Sequence, residues 1–374
     1  MQNTDTTFTW DSANHQTFSS PGVTILKGSP ETFNKMEGCG LEVRGLTGDG
    51  AIAGPLFLIP DVSNESSVIN WAAPSTSPVH SPALFIFREK SDFRILGNRQ
   101  LRTTWFTSGV DNTITFSLYD DSYVKLEDLK YVILGMASLT TVKTAGFNDF
   151  LQPIFSISAE VVELFYNAEL LGFSILDVQA NVISTTRISD LQVGGLRFKD
   201  NAALVINDNL SQHIDSELRI LSGLYFYNSS SGNITSRTIY NDYTDNNSNG
   251  FTAIEVIDQA RVSIRTEQFL QGAGQGKIIQ LSGSAQVTIN PMNDIIPINP
   301  VEEMYHPTEK CWPGMINFKS GSKATLKLVG AALQDNQSVA ALNSLKLVYV
   351  DGKPVDIASN FYVNFTDGIT LMMK

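Results

Sequence analysis

Residues 85–95, FIFREKSDFRI, alternate apolar with other side chains, break for three polar positions, place a small residue, and alternate again. The template (apolar, any, apolar, three polar, small, any, apolar, any, apolar) returns at Phe116, Leu118, Ser122, Val124 and Leu126, and again at Leu196, Phe198, Ala202, Leu204 and Ile206. Further copies run through Ile254, Val256, Ala260, Val262 and Ile264, and through Ile279, Leu281, Ala285, Val287 and Ile289. A sixth begins at Ile316 and Phe318, with Ser322 as its small residue and Ala324 and Leu326 after it. Two weaker copies use Leu224, Phe226, Ser230 and Ile234, and Val162, Leu164, Ala168 and Leu170, with Gly232 and Gly172 standing where an apolar residue is expected. Period-two alternation marks strands that bury one face. The polar triplets REK, YDD, KDN, IDQ, SGS and KSG have turn chemistry.

The small residues are spaced 28 (202 to 230), 30 (230 to 260) and 25 (260 to 285) residues apart. Such an interval suits one coil of a parallel β-solenoid, whose stacked rungs bury a core that no single rung supplies. Phe87, Leu118, Phe198, Val256, Leu281 and Phe318 are then expected in one inward column. A row of antiparallel hairpins has a similar appearance. Against it, REK, YDD, KDN and IDQ lack the glycine of tight hairpin turns, and the small residue keeps one slot. The expected class is therefore all-β, a parallel β-helix over residues 84–335. Residues 1–83 are expected to form a separate N-terminal module and linker, because they hold no full copy and end in STSPVHSP. Residues 336–374 are expected to form a strand-rich cap over an otherwise open sheet edge. AEVVELFYNAELLG (159–172) suits a helix by composition, but its alternation is read as strand.

Segments 228–250 and 290–314 break the rhythm and are expected to be loops thrown out from rungs, where a rigid scaffold commonly places its function. Their aromatics Tyr240, Tyr243, Tyr305 and Trp312, with Tyr227 just before the first segment, suit the C–H faces of sugar rings. Asp242, Asp245, Glu302 and Glu303 lie among them and are the catalytic candidates if the chain is an enzyme, since glycoside cleavage needs paired carboxylates. Acidic residues of this kind are also common on any solenoid surface, so sugar binding is read here and catalysis is left open. The 38 acidic and 26 basic side chains give a net charge of −12, which repels phosphate backbones and argues against nucleic acid as a partner. The four histidines are scattered, and no HExxH, GxSxG or phosphate-cradling glycine loop is present. Cys39 and Cys311 are too few for a disulfide scaffold, so neither metal nor cofactor is expected. No apolar run reaches the length of a membrane span, and the first residues lack the layout of a secretory signal.

ARVSI (260–264) and AQVTI (285–289), following Ile-x-Val and Ile-x-Leu, resemble rungs of right-handed parallel β-helix proteins of the pectate-lyase-like superfamily. That group includes polysaccharide lyases, autotransporter adhesins, and phage tailspikes and tail fibres. No catalytic motif of the lyases matches residue by residue, and the leaderless N-terminus disfavours the autotransporters. The resemblance thus implies the tailspike and tail-fibre branch: a homotrimeric virion protein that joins other virion proteins through its N-terminal module and displays loops to a host-surface polysaccharide. A carbohydrate-active enzyme of the same fold, and a purely structural capsid-decoration or tail component without ligand, are the alternatives.

Overall fold

The structure is a computed structural model. It describes residues 6–19, 23–27, Lys35, 39–45, 56–58, 68–70, 83–97, 105–107, 114–135, 137–142, 152–186, 194–208, 215–242, 252–271, 277–292, 298–299, 316–330 and 335–374. The chain is all-β, with its strands in long parallel ladders, and it divides into two compact units, Met1–Thr186 and Arg187–Lys374.

In the first unit one ladder runs Gln16–Phe18, Gly40–Arg44, Ala83–Arg88, Ile114–Tyr119, Ala137–Val142 and Asn167–Leu170, each strand parallel to the next. A second runs Thr6–Thr9, Thr24–Lys27, Leu56–Leu58, Asp92–Leu96, Tyr123–Ile133, Ile154–Glu163 and Ile175–Gln179. The first ladder crosses the boundary expected at residue 83, because Leu41 and Val43 hold the register of Phe85 and Phe87. Alternation there is confined to strands of three to five residues, too short for the full template to be seen. Segment 159–172 is strand through Glu163 and again over Asn167–Leu170. Its expected frame is wrong, however: Leu139 partners Ala168, while Phe155 and Ile157 partner Leu176 and Val178. The copy therefore reads Ala168, Leu170, Ser174, Leu176, Val178, with Ser174 as its buried small residue. Side chains of the two ladders meet in the core, where Phe116, Phe155 and Phe165 pack edge to face with centroids 5.1–6.0 Å apart.

In the second unit the first ladder runs Gly195–Phe198, Leu224–Phe226, Thr252–Val256, Lys277–Leu281, Ile316–Phe318 and Val348–Val350, all parallel. Phe198, Phe226, Val256, Leu281 and Phe318 fall in one register column and are wholly buried. The second ladder runs Ala203–Ile206, Ser231–Thr235, Arg261–Thr266, Gln286–Pro291 and Thr325–Val329. A third runs Glu217–Ile220, Thr238–Asn241, Gln268–Gln271 and Ile298–Asn299. Gly232 occupies an apolar slot because the Phe226 ring already fills the space: a Cβ there would lie 2.9 Å from it.

The polar triplets are turns closed by a backbone bond from the small residue to the residue three before it, as in Ala202 to Lys199, Ser230 to Tyr227 and Ala260 to Ile257. In the copies before the sixth the second residue of the turn has positive φ, a slot filled by Glu89, Asp120, Gly172, Asp200, Asn228, Asp258 and Gly283. Asparagine, aspartate and glycine tolerate that region best, which is why these turns need no glycine as a rule. In the sixth copy the small residue is Ala324 and not Ser322: the offset of 37 from Ile279 to Ile316 grows to 39 from Gln286 to Thr325. The two added residues lie in the turn, whose positive φ moves to Gly321. Next to Ala202 and Ala260, Ser230 holds the same buried slot, and its hydroxyl has no partner among the described residues. Ser230→Ala should therefore raise stability by about 1 kcal/mol, read as a higher denaturation midpoint; an unchanged or lower midpoint counts against it.

The ladders end at a cap of different construction. Gly368–Met373 pairs antiparallel with Thr325–Val329 on one side and with Phe361–Asn364 on the other. The strand-rich cap also contains helices, Asn336–Ser344 and Ile357–Asn360, each begun by an aspartate whose carboxylate accepts a backbone N–H at 2.8 Å. Val339 and Leu342 give the first helix its buried face.

Candidate functional site

The third ladder of the second unit brings two of the expected residues together. Arg219 and Tyr240 are register partners, and the guanidinium lies 4.7 Å from the centre of the tyrosine ring. Asp242 follows in the same strand direction; its N–H bonds to the Ile220 carbonyl, and its carboxylate lies 3.6 Å from Arg219. Glu217, two residues before Arg219 and so on the same face of its strand, sits 3.4 Å from the same guanidinium.

Beside this cluster lies a shallow, open depression of about 250 Å³ lined by Asp215, Glu217, Arg237, Thr238, Glu267 and Gln268. Arg237 bridges Glu267 and Asp215, each at 2.5 Å, and these bonds raise its already high pKa, that to Glu267 first. Next to this lining, buried hydroxyl groups hold the bend between the second and third ladders. Ser236 donates within reach of the Ser216 and Thr238 carbonyls at 3.1 and 3.0 Å. Thr266 does the same to Arg237 and Gln268, both at 3.1 Å. Their burial fixes the side chains that follow (Glu217, Arg237, Thr238, Glu267 and Gln268) at one edge. The signal was present in the sequence as SE (216–217), SRT (236–238) and TEQ (266–268), but it is a repeat of polar residues, which an apolar template does not detect.

Segment 228–250 is not a loop over its first part, since Ser231–Thr235 and Thr238–Asn241 are ladder strands. Polarity misleads here because the outward side of these strands carries Ser231, Asn233 and Tyr240, while the buried positions hold Thr235, Thr238 and Asn241 as well as Gly232, Ile234 and Ile239. Tyr227 directly follows the first-ladder strand Leu224–Phe226 and stacks on Tyr225 at 6.5 Å, whereas Tyr240 stands in the third ladder. Burial raises the pKa of its hydroxyl, Glu255 and Tyr225 add to the rise, and Arg197 opposes it. Tyr243, Asp245, Glu302, Glu303, Tyr305 and Trp312 lie outside the described residues, as does most of 290–314.

Chemically, the depression offers hydrogen-bonding groups at a solvent-exposed edge, with each arginine already paired to two carboxylates. Hydroxyl-rich ligands match such donors and acceptors, and Tyr240 adds an aromatic surface. Among the described residues no group of three His, Cys, Asp or Glu is placed to hold a metal ion, and no helix is long and apolar enough to cross a membrane. Comparison of the chain with known protein families, with curated proteins and with solved structures finds no match.

Proposed function

We propose that the chain is a virion structural protein of the tailspike or tail-fibre kind, in which a right-handed parallel β-helix presents its outward side chains to a host-surface polysaccharide. The observation that carries this reading is the unbroken parallel register of the second unit, where offsets of 28, 30 and 25 residues superpose like side chains from Leu196 to Ile279. Stacked coils of that kind make a stiff body whose outer face can vary without disturbing the column within. The Arg219–Tyr240–Asp242 cluster and the depression beside it are then the first contact for sugar hydroxyls. Attachment to other virion proteins through the N-terminal residues, and assembly as a homotrimer, belong to the same proposal.

The test is retention of the purified chain on immobilised bacterial surface polysaccharides, with Tyr240→Ala as the variant. Loss of one aromatic stacking face is expected to weaken binding by about tenfold. Wild-type chain that binds no polysaccharide removes the recognition role and leaves a structural particle component. Release of oligosaccharides that stops with Asp242→Asn replaces it with an enzyme.

A further inference from the structure

The outward face of the second ladder in the second unit differs in charge from the chain as a whole. The strands Ser231–Thr235, Arg261–Thr266, Gln286–Pro291 and Thr325–Val329, with the cap strands Gly368–Met373 and Phe361–Asn364, contain no aspartate or glutamate in a chain that holds 38. They do contain Arg261, Arg265 and Lys327, all on the outward side and none in an ion pair among the described residues. Several outward arginines elsewhere are neutralised: Arg94 by Asp92 at 2.8 Å, Arg219 by Glu217 and Asp242, Arg237 by Asp215 and Glu267.

Register places these cations on one surface. Ser263 aligns with Asn233 on one side and with Thr288 and then Lys327 on the other. Arg261 and Arg265 flank Ser263 on its own strand, about 13 Å apart at the rise of an extended chain, and Lys327 lies two strands, about 10 Å, away. Between them stand only Gln286, Thr288 and Asn290, which donate and accept hydrogen bonds. At the cap end the row from Arg261 reaches Met372 and Tyr362, whose ring is 59% exposed.

We infer that this face is a binding surface for an anionic polysaccharide, one whose carboxylate, sulfate or phosphate groups recur along the polymer. The inference rests on the glycan-recognition reading above and names the class of glycan. Unpaired guanidinium groups supply charge-assisted hydrogen bonds to anions, and the interleaved amides and hydroxyls suit sugar hydroxyls. Tyr362 offers the flat apolar surface on which a ring stacks. An outward sheet face suits an extended polymer, and the net charge of −12 disfavours anions over the remaining surface on average.

The experiment measures binding of the full chain to polygalacturonate, to neutral dextran and to poly-glutamate at two salt concentrations. Polygalacturonate is expected to bind, more weakly at higher salt, and dextran not to bind. Arg261→Glu with Arg265→Glu should weaken polygalacturonate binding by about tenfold or more, while Lys125→Glu, an equal change of charge per site in the other unit, leaves it within about twofold. All the replaced side chains face outward, and a circular-dichroism melt verifies that each variant folds. Equal loss in the Lys125 variant overturns the inference by reducing it to net charge. Poly-glutamate bound as tightly as polygalacturonate, with no effect of Tyr362→Ala, assigns the face to an acidic peptide. Self-association lost in the double variant, without glycan binding, assigns it to a second copy of this chain. Binding of dextran alone overturns the anionic assignment but keeps glycan recognition; binding of neither glycan overturns both.

Discussion

Replacing Phe226 with alanine is expected to destabilise the second unit by about 3–5 kcal/mol, the usual range for deleting a buried aromatic side chain. Phe226 is wholly buried, and its ring stacks on Phe198 with centroids 5.0 Å apart and planes 14° from parallel. It also packs over Gly232 of the facing ladder, where no side chain exists to move into the gap. The cavity would thus stay open, which places the cost toward the upper end of the range. Stacking between like rings on adjacent parallel strands adds a contribution beyond burial of area. Phe226→Leu retains part of the volume and should cost less than half as much. Tyr362→Ala, at a side chain that is largely exposed, should shift stability by no more than about 0.5 kcal/mol. Chemical denaturation followed by a probe within residues 187–374 gives the three values, and a Phe226 loss below that of the leucine variant contradicts the packing described.

What the amino-acid order revealed was what repeats on the buried side. An apolar residue must recur at one slot if strands stack in parallel register, so Leu196, Ile254 and Ile279 announce their alignment directly. The outward side obeys no such demand. Ser231, Arg261 and Gln286 are aligned as strictly as the core residues, yet nothing in their chemistry says so until the backbone register is known. Polar strands at 231–241 for that reason read as loop, and of the cluster Arg219, Tyr240 and Asp242 only the last two stand out in the sequence. Insertions hide the frame in a second way. Two extra residues before Ala324, and the displacement of the 168–178 copy from its proper start, both keep an apolar spacing that the eye accepts while the hydrogen bonds choose another. Helices in the cap escaped because Asn336–Ser344 carries only Val339 and Leu342 as buried residues, too few for a period of 3.6 to stand out.

The first unit should become more stable as pH rises from about 8 to 10.5, and Lys35 is the cause. Its side chain is wholly buried near the start of the chain, with Nζ 2.5 Å from the Asp11 carbonyl, 2.8 Å from that of Asn14 and 2.9 Å from Gln16 Oε1. Trp10 lies beneath it, 4.4 Å from the ammonium to the ring centre, and stacks in turn near Phe85. Burial lowers the pKa from 10.5 to about 8, against the opposing pull of Asp11 and Cys39. Below pH 8 the amine is protonated whether the chain is folded or not, so stability does not change there on its account. Between the two values the unfolded chain holds a proton that the folded chain has released, and stability therefore climbs with pH, by roughly 3 kcal/mol across the whole interval. Lys35→Met removes the titrating group and should flatten that rise, leaving only the drift common to both proteins. The same variant leaves the Asp11 and Asn14 carbonyls without their buried donor, so at pH 10 it should be the less stable of the two by a margin that shrinks at pH 7. Denaturation midpoints of both proteins at pH 7, 8, 9 and 10 decide the matter: parallel curves would mean that the amine stays charged in the fold, held by its three acceptors in spite of burial.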